Sequence, residues 1–215
     1  MSINDTISTK DVEIIKHQID LGLKMKNKSN KKSISDSELI YDTHLKENII
    51  LYLKECIRKE DIYSVSIIIK TGIDFGDEIH TCLRIASRTG NIAMCILLLE
   101  NGADCNHAIY PSDESKYTNE IMYSATTIAC EIGDARLLPL FATYDADVHK
   151  YANSAIRLAS MSGHLTIVKM LLLLDVDCTA HDNESIKLAY KYNHINVVKL
   201  LVEHGASLNL LSEGK

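Results

Sequence analysis

The chain is predicted to be all-α, a solenoid of helix-turn-helix units stacked side by side and joined by short hairpin or loop fingers. Three observations predict this. Four stretches repeat one theme: Arg84-Ile85-Ala86-Ser87-Arg88-Thr89-Gly90-Asn91-Ile92, Ile128-Ala129-Cys130-Glu131-Ile132-Gly133-Asp134, Arg157-Leu158-Ala159-Ser160-Met161-Ser162-Gly163-His164-Leu165 and Lys187-Leu188-Ala189-Tyr190-Lys191-Tyr192-Asn193-His194-Ile195. Gly133 to Gly163 is 30 residues and Gly163 to Asn193 is 30 again, so one supersecondary unit recurs in register. Among 215 residues Pro occurs 2 times and Gly 9 times with 46% hydrophobic content, a balance that suits helices with polar connections better than closely spaced strands and turns.

Within the unit from Asn153 to Cys178, Ala155, Ile156, Leu158, Ala159 and Met161 form a short periodic segment. Ser162-Gly163-His164 breaks it, and Leu165, Ile167, Val168, Met170, Leu171 and Leu172 form a second. Two antiparallel helices follow, with Gly between them because the tight connection needs a left-handed backbone. Asn193, the next-best residue at positive φ, holds that place in the last unit. Ala86, Ala129, Ala159 and Ala189 share one register and allow neighbouring units to approach closely. The second helices, such as Met94 to Leu99 and Val197 to Val202, are apolar enough to require a unit on each side.

The run Gly90-Asn91-Ile92 through Leu97-Leu98-Leu99-Glu100-Asn101-Gly102-Ala103-Asp104-Cys105-Asn106 resembles the second half of the ankyrin repeat, "GHLEVVKLLLEAGADVN". So does Asn193-His194-Ile195 through Val202-Glu203-His204-Gly205-Ala206-Ser207-Leu208-Asn209. The Gly133 unit is degenerate, with Pro139 inside its second helix, where a kink is expected, and Tyr144-Asp145-Ala146-Asp147 in place of Gly-Ala-Asp. The family's "TPLH" start is eroded to Thr81-Cys82-Leu83-Arg84, Ser154-Ala155-Ile156-Arg157 and Ser185-Ile186-Lys187. Arg or Lys stands in place of the His on which the family's usual hydrogen-bond lattice between units depends. The family more often has about 33 residues per unit, and a 30-residue unit implies a shortened finger. Ile-, Lys- and Asn-rich short repeats resemble those encoded by giant DNA viruses of amoebae.

In chain order, residues 1–24 read as an N-terminal half-repeat cap, because Asp11 to Gly22 has the cadence of a second helix with no room for a first. The 50 residues from Gly22 to Gly72 imply about 20 extra, placed as a basic insertion over 25–44. Repeats are expected over 45–76, 77–106, 120–149, 150–179 and 180–209. Gly90 to Gly133 is 43 residues, which places an inserted loop over 107–119; 210–215 is a tail.

The formal charge of -6 leaves no global field attracting phosphate backbones. Lys24, Lys26, Lys28, Lys31 and Lys32 form the one basic run. Asn and Ser interleave it without aromatic stacking residues, so it reads as a solvated loop, with nucleic acid, an acidic partner or an import receptor as its functional alternatives. No basic n-region precedes an apolar stretch, and no run reaches the roughly 18 apolar residues of a membrane span. Six scattered cysteines without CxxC pairs indicate a reducing compartment. A cytoplasmic protein is expected, with nuclear entry open and no membrane or nucleic-acid partner.

Chemistry is sparse. His80-Thr81-Cys82, Cys105-Asn106-His107 and Cys178-Thr179-Ala180-His181 pair thiol with imidazole, but none has a second pair in its unit. They read as buried cysteines beside surface histidines, and no metal or cofactor is expected. Gly72 and Gly76 lack a following Gly-Lys-Ser/Thr, and Asp74-Phe75-Gly76 lacks a kinase catalytic loop. Asp145, Asp147, Asp175 and Asp177 read as helix-end turn formers rather than calcium ligands. No catalytic residue is assigned.

In ankyrin-like stacks the fingers and first-helix ends line a concave groove. Carried over by register, the resemblance implies as partner-binding candidates Arg58, Lys59, His80, Arg88, Thr89, Tyr123, Glu131, Ile132, Asn153, Met161, Ser162, Asn183, Lys191 and Tyr192. These positions vary while the packing positions stay constant, as in a recognition surface or an unconstrained one. Tyr110 and Tyr117 in the inserted loop are residue types that concentrate binding energy, unless that loop packs on its own unit. The function expected is a non-enzymatic module binding a protein partner, in the form of a virus-encoded host-interaction factor. A substrate adaptor for ubiquitin ligation is the alternative, and a metal- or thiol-dependent enzyme the alternative of another class. A monomer is expected, with end-to-end association open if Leu208, Leu210 and Leu211 do not cover the last helix.

Overall fold

The computed structural model describes residues 36–109 and 122–207, with side chains from residue 46 onward in the first helix. The described residues contain α-helices in five antiparallel pairs and no strand. The pairs are α1 (Asp36–Arg58) with α2 (Ile62–Lys70), α3 (Glu78–Thr89) with α4 (Ile92–Glu100), α5 (Ala125–Ile132) with α6 (Leu137–Ala142), α7 (Ala152–Ser162) with α8 (Leu165–Leu173), and α9 (Ala180–Lys191) with α10 (Ile195–Glu203). First helices pack on first helices through the stack, α1 on α3, α3 on α5, α5 on α7 and α7 on α9. This row can close because Ala86, Ala129, Ala159 and Ala189 present only a methyl group, and all four are 0% exposed.

One continuous apolar core runs from Ile49 to Ala206. Leu98, Ile167, Leu171 and Leu201 are fully buried on second helices, each worth roughly 1.5–3 kcal/mol of burial. The apolar positions of α10, Val197, Val198, Leu200 and Leu201, are buried, and its exposed apolar residue is Ile195 at the start. The N-terminal half repeat over 1–24, the basic lysine run, Tyr110, Tyr117 and the tail leucines lie outside the described residues.

The connection between the two helices of each unit is left-handed. Glu60, Gly90, Gly133, Gly163 and Asn193 have φ of 58°, 68°, 78°, 77° and 62°. The next unit explains which of them is glycine. A Cβ on Gly133 or Gly163 would collide with the imidazole of His164 or His194, and one on Gly90 would meet Asp134 Oδ2 at 3.0 Å. Asn193 is followed by no further repeat in the described residues. Across from Glu60 the next unit places the small Asn91, whose Nδ2 donates to Glu60 Oε2 at 3.2 Å.

In the units of Glu60, Gly90, Gly163 and Asn193 the residue after the left-handed position does one of two jobs. Asp61 and Asn91 cap their own helices, accepting the backbone N–H of Ser64 and Met94 at 3.0 Å each. His164 and His194 instead reach the preceding unit, donating through Nε2 to Glu131 O at 2.8 Å and Met161 O at 3.0 Å. In the Gly133 unit Arg136 takes this role, with Nη2 directed at Gly90 O at 3.4 Å. Each donor meets a carbonyl near a helix C-terminus, where intrahelical partners run out.

Several details depart from the sequence reading. α1 begins at Asp36 and so covers 36–44, placed above in the basic insertion; no Gly or Pro interrupts Asp36 to Arg58. Pro139 delays a helix instead of kinking it. The other second helices have 9 residues, whereas α6 has 6 and starts at Leu137, so Pro139 falls in the first turn where a missing N–H costs nothing. Among the described residues the fingers are loops, with a single antiparallel bridge, Ile109 to Tyr123, at the base of the insertion. At the start of α9, His181, Asp182 and Asn183 have φ of 52°, 55° and 60°, a left-handed turn before the regular helix. Asn183 is tied down there, its Oδ1 accepting Ser207 N–H at 2.9 Å.

The turn-forming reading of the acids holds in two different ways. Asp147 Oδ1 accepts from His149 N and Lys150 N, and Asp177 Oδ1 from Thr179 N and Oγ1. Asp145 and Asp175, with φ of 60° and 57°, occupy the left-handed position that Gly72, Gly102 and Gly205 fill in other units.

Candidate functional site

Two residues before each left-handed connection, the ends of the first helices present Arg58, Arg88, Glu131, Met161 and Lys191 in a row across the repeats. Arg88 and Glu131 are joined by an ion pair, Nη2 to Oε2 at 3.0 Å. Arg58 and Lys59 both approach Glu55, at 3.7 and 3.1 Å. These pairs are exposed and contribute little to stability; they fix where charge stands on the face.

Arg58, Arg88, Thr89 and Tyr123 from the sequence-derived set meet at one pocket of about 530 Å³ between the first three repeats. Its remaining lining is Thr81, Arg84, Ile85, Ile109 and Ile128. Arg84, at the family's His position, is 6% exposed. Its Nη2 donates to Thr81 Oγ1 at 2.9 Å, and its Nη1 to His107 Nδ1 at 3.1 Å and His107 O at 3.3 Å. Burial holds the Arg84 pKa below its ordinary value. Arg157, at the same position two repeats on, is 1% exposed and pairs with Glu184 Oε2 at 2.7 Å. The lattice between units is therefore rebuilt around arginine.

Other candidates are spread along the stack or engaged in the scaffold. Asn153 Nδ2 lies 3.3 Å from His181 Nε2, Asn183 holds Ser207, and Met161 offers its carbonyl to His194. Ile132 and Ser162 are half-buried beside the connections, and Lys191 and Tyr192 stand exposed at the far end with Lys191 Nζ 5.6 Å from the Tyr192 ring centroid.

The sequence reading kept His80 and His107 apart, but the fold stacks their rings with centroids 4.4 Å apart. With Asp77 they place three ligand-type atoms within 4.8 Å of one another. The donor set does not fit a resident metal. His80 Nδ1 accepts Asp104 N–H at 2.9 Å and His107 Nδ1 accepts from Arg84, so each neutral ring keeps its proton on Nε2. A cation would also sit beside the Arg84 guanidinium. Burial is the main cause lowering the His80 pKa, with the neighbouring His107 and Arg84 adding to it. All six cysteines are buried and reduced, and burial raises Cys82 and Cys130 to about 12 and Cys95 and Cys105 to about 11. A thiol so held is a poor nucleophile.

Comparison with known families decides the scaffold. The family described as "Ankyrin repeats (3 copies)" matches residues 126–212, and "Ankyrin repeat" matches residues 80–109. These segments are ankyrin repeats. The match over 126–212 spans the units built around Gly133, Gly163 and Asn193, including the degenerate one with Pro139. No curated protein matches the chain. Ankyrin repeats are generally protein-interaction modules and typically non-enzymatic. Among the described residues no helix is long and apolar enough to cross a membrane.

Arg84 was missed as a site residue because its register is a packing position in an ankyrin repeat. The available signal was charge: an arginine on a face that must be buried needs either a counter-ion or a ligand.

Proposed function

We propose that this ankyrin-repeat chain is a non-enzymatic protein-interaction module that binds a partner protein through its concave face. The observation that supports this is the row Arg58, Arg88, Glu131, Met161 and Lys191, four kinds of side chain on five equivalent positions of one scaffold, opening at one end into the arginine-lined pocket. Binding energy concentrates in arginine and aromatic residues, which this face offers in Arg88, Tyr123 and Tyr192. The Tyr110 to Tyr117 insertion lies in sequence between Ile109 and Tyr123 of the pocket lining and is proposed to contribute to the same interface. Six buried reduced thiols suit an intracellular, reducing compartment. A virus-encoded host-interaction factor is the specific form suggested by the Ile-, Lys- and Asn-rich short repeats.

The test is a pull-down from host-cell extract with Arg88→Glu/Tyr192→Ala, against Thr166→Glu/Lys169→Glu on the exposed side of α8 as control. The groove variant should lose its partners while the α8 variant retains them. Retention of every partner by the groove variant would refute the concave-face assignment.

A further inference from the structure

We infer that the pocket between the first three repeats binds an acidic side chain, Asp or Glu, of an extended partner peptide, with Arg84 as its counter-ion. This rests on the protein-interaction reading and names what that interface recognises.

The argument comes from an internal comparison. Arg84 lies two residues before Ala86 and Arg157 two residues before Ala159, so they are the same residue of the repeat. Both are buried, at 6% and 1% exposed. Arg157 receives its counter-charge from Glu184 of the next unit, five residues before Ala189. Five residues before Ala129 the next unit offers Arg84 a serine, Ser124, which is spent as the N-cap of α5. Arg84 consequently has only neutral partners, Thr81 and His107, and no carboxylate within ion-pair distance among the described residues. Glu78, the nearest acid on its own helix, is paired with Lys54 at 2.7 Å. A buried guanidinium without a counter-charge is costly, and this one lines an open cavity.

The size of the charge selects the ligand. Arg58 and Arg88 also line the pocket but already have acid partners in Glu55 and Glu131. Arg84 is therefore the one arginine of the lining without an acid partner, and its single buried charge matches a monoanionic carboxylate better than a phosphate carrying close to two charges. The walls are Ile85, Ile109, Ile128 and Tyr123, so the methylene groups of the acidic residue and an apolar neighbour can be buried around it. A planar fork donating to a carboxylate in such surroundings gives geometric as well as charge discrimination.

The experiment uses the full chain and three pools of synthetic 11-residue peptides with random flanks and a fixed central Glu, Gln or phosphoserine. Peptides recovered from the pools are synthesised individually, and their affinities are measured by fluorescence anisotropy. Glu-centred peptides should bind at least about tenfold more tightly than their Gln counterparts, a difference of about 1.4 kcal/mol, and should outcompete the phosphoserine forms. Arg84→Met should abolish the Glu preference. Because that variant alters a buried position, Thr89→Glu on the exposed pocket rim is the second arm; it supplies a competing carboxylate and should weaken Glu-peptide binding about tenfold without unfolding the chain. Equal retention of Glu and Gln peptides would overturn the carboxylate pocket and leave the interaction-module reading standing. A phosphoserine preference would overturn the single-charge assignment. Failure to recover any peptide would overturn the peptide inference, while loss of protein partners by Arg88→Glu/Tyr192→Ala separately decides the broader reading.

Discussion

The imidazole of His194 lies across Gly163 of the preceding repeat, with its Nε2 donating to Met161 O at 3.0 Å. Gly163 thus serves two purposes: it takes a φ of 77°, and its missing side chain is the space in which the neighbour's ring sits. Gly163→Ala should cost about 2–3 kcal/mol, combining left-handed strain with displacement of the ring. Asn193→Ala, which has only the strain, should cost about 1 kcal/mol. His194→Ala alone loses one hydrogen bond, about 1 kcal/mol. The informative measurement is the double mutant. Urea unfolding of Gly163→Ala/His194→Ala should show less destabilisation than the sum of the singles, because the ring that clashes is gone. Strict additivity would mean that the two residues do not share that space.

The same contact shows what was legible in the sequence. The 30-residue period, the paired helices and the packing alanines followed from pattern, because each is a local requirement repeated several times. Why Gly gives way to Asn at 193 and Glu at 60 was not legible, since the answer lies in the following unit's Asn91, Asp134, His164 or His194. For the site, register alone found Arg58, Arg88, Thr89 and Tyr123. Arg84 and the His80 to His107 stack depended on contacts 23 and 27 residues apart in sequence, from the first helix of a unit to the start of the loop that follows it, which the repeat pattern does not supply.

Arg157 and Glu184 form the one pair in the described stack whose cation is fully buried, with side chains 2% and 23% exposed. Glu184→Gln should destabilise the protein by about 3 kcal/mol, at the lower end of the cost of breaking a buried pair because Glu184 keeps some contact with water. Arg157→Met/Glu184→Leu removes both charges and should cost less than the single change. Chemical denaturation of the three proteins checks this. A double variant less stable than Glu184→Gln would show that the arginine is held mainly by its other contacts.

His80 should titrate below the ordinary histidine value of 6.5, because burial and the adjacent His107 and Arg84 disfavour its charged form. With its folded pKa lowered, the unfolded chain takes up the proton first as pH falls, so this residue's contribution to stability is complete above 6.5 and declines on acidification through that value. Proton NMR of the ring signals checks the midpoint directly. His107→Ala removes one of the opposing groups and should move the His80 midpoint upward.

The thiols give the opposite sign. Burial raises Cys82 and Cys130 from 9.0 to about 12 and Cys95 and Cys105 from 9.0 to about 11. Between those values the unfolded chain has lost protons that the folded chain still holds, so stability is fully present below pH 9.0 and falls as pH rises toward the folded values. Each such thiol contributes up to about 1.4 kcal/mol per pH unit in that window. Urea midpoints measured at pH 8, 9 and 10 should hold level and then drop. Replacing Cys82 and Cys130 by Ala removes two of the groups and should flatten the slope, while cavity formation lowers stability at every pH. Labelling with a thiol reagent at pH 8 provides a second readout: all six cysteines are buried, so modification should proceed only through unfolding, and its rate should rise in Gly163→Ala in step with the loss of stability. A cysteine that reacts rapidly in the native protein would show a local opening at its repeat.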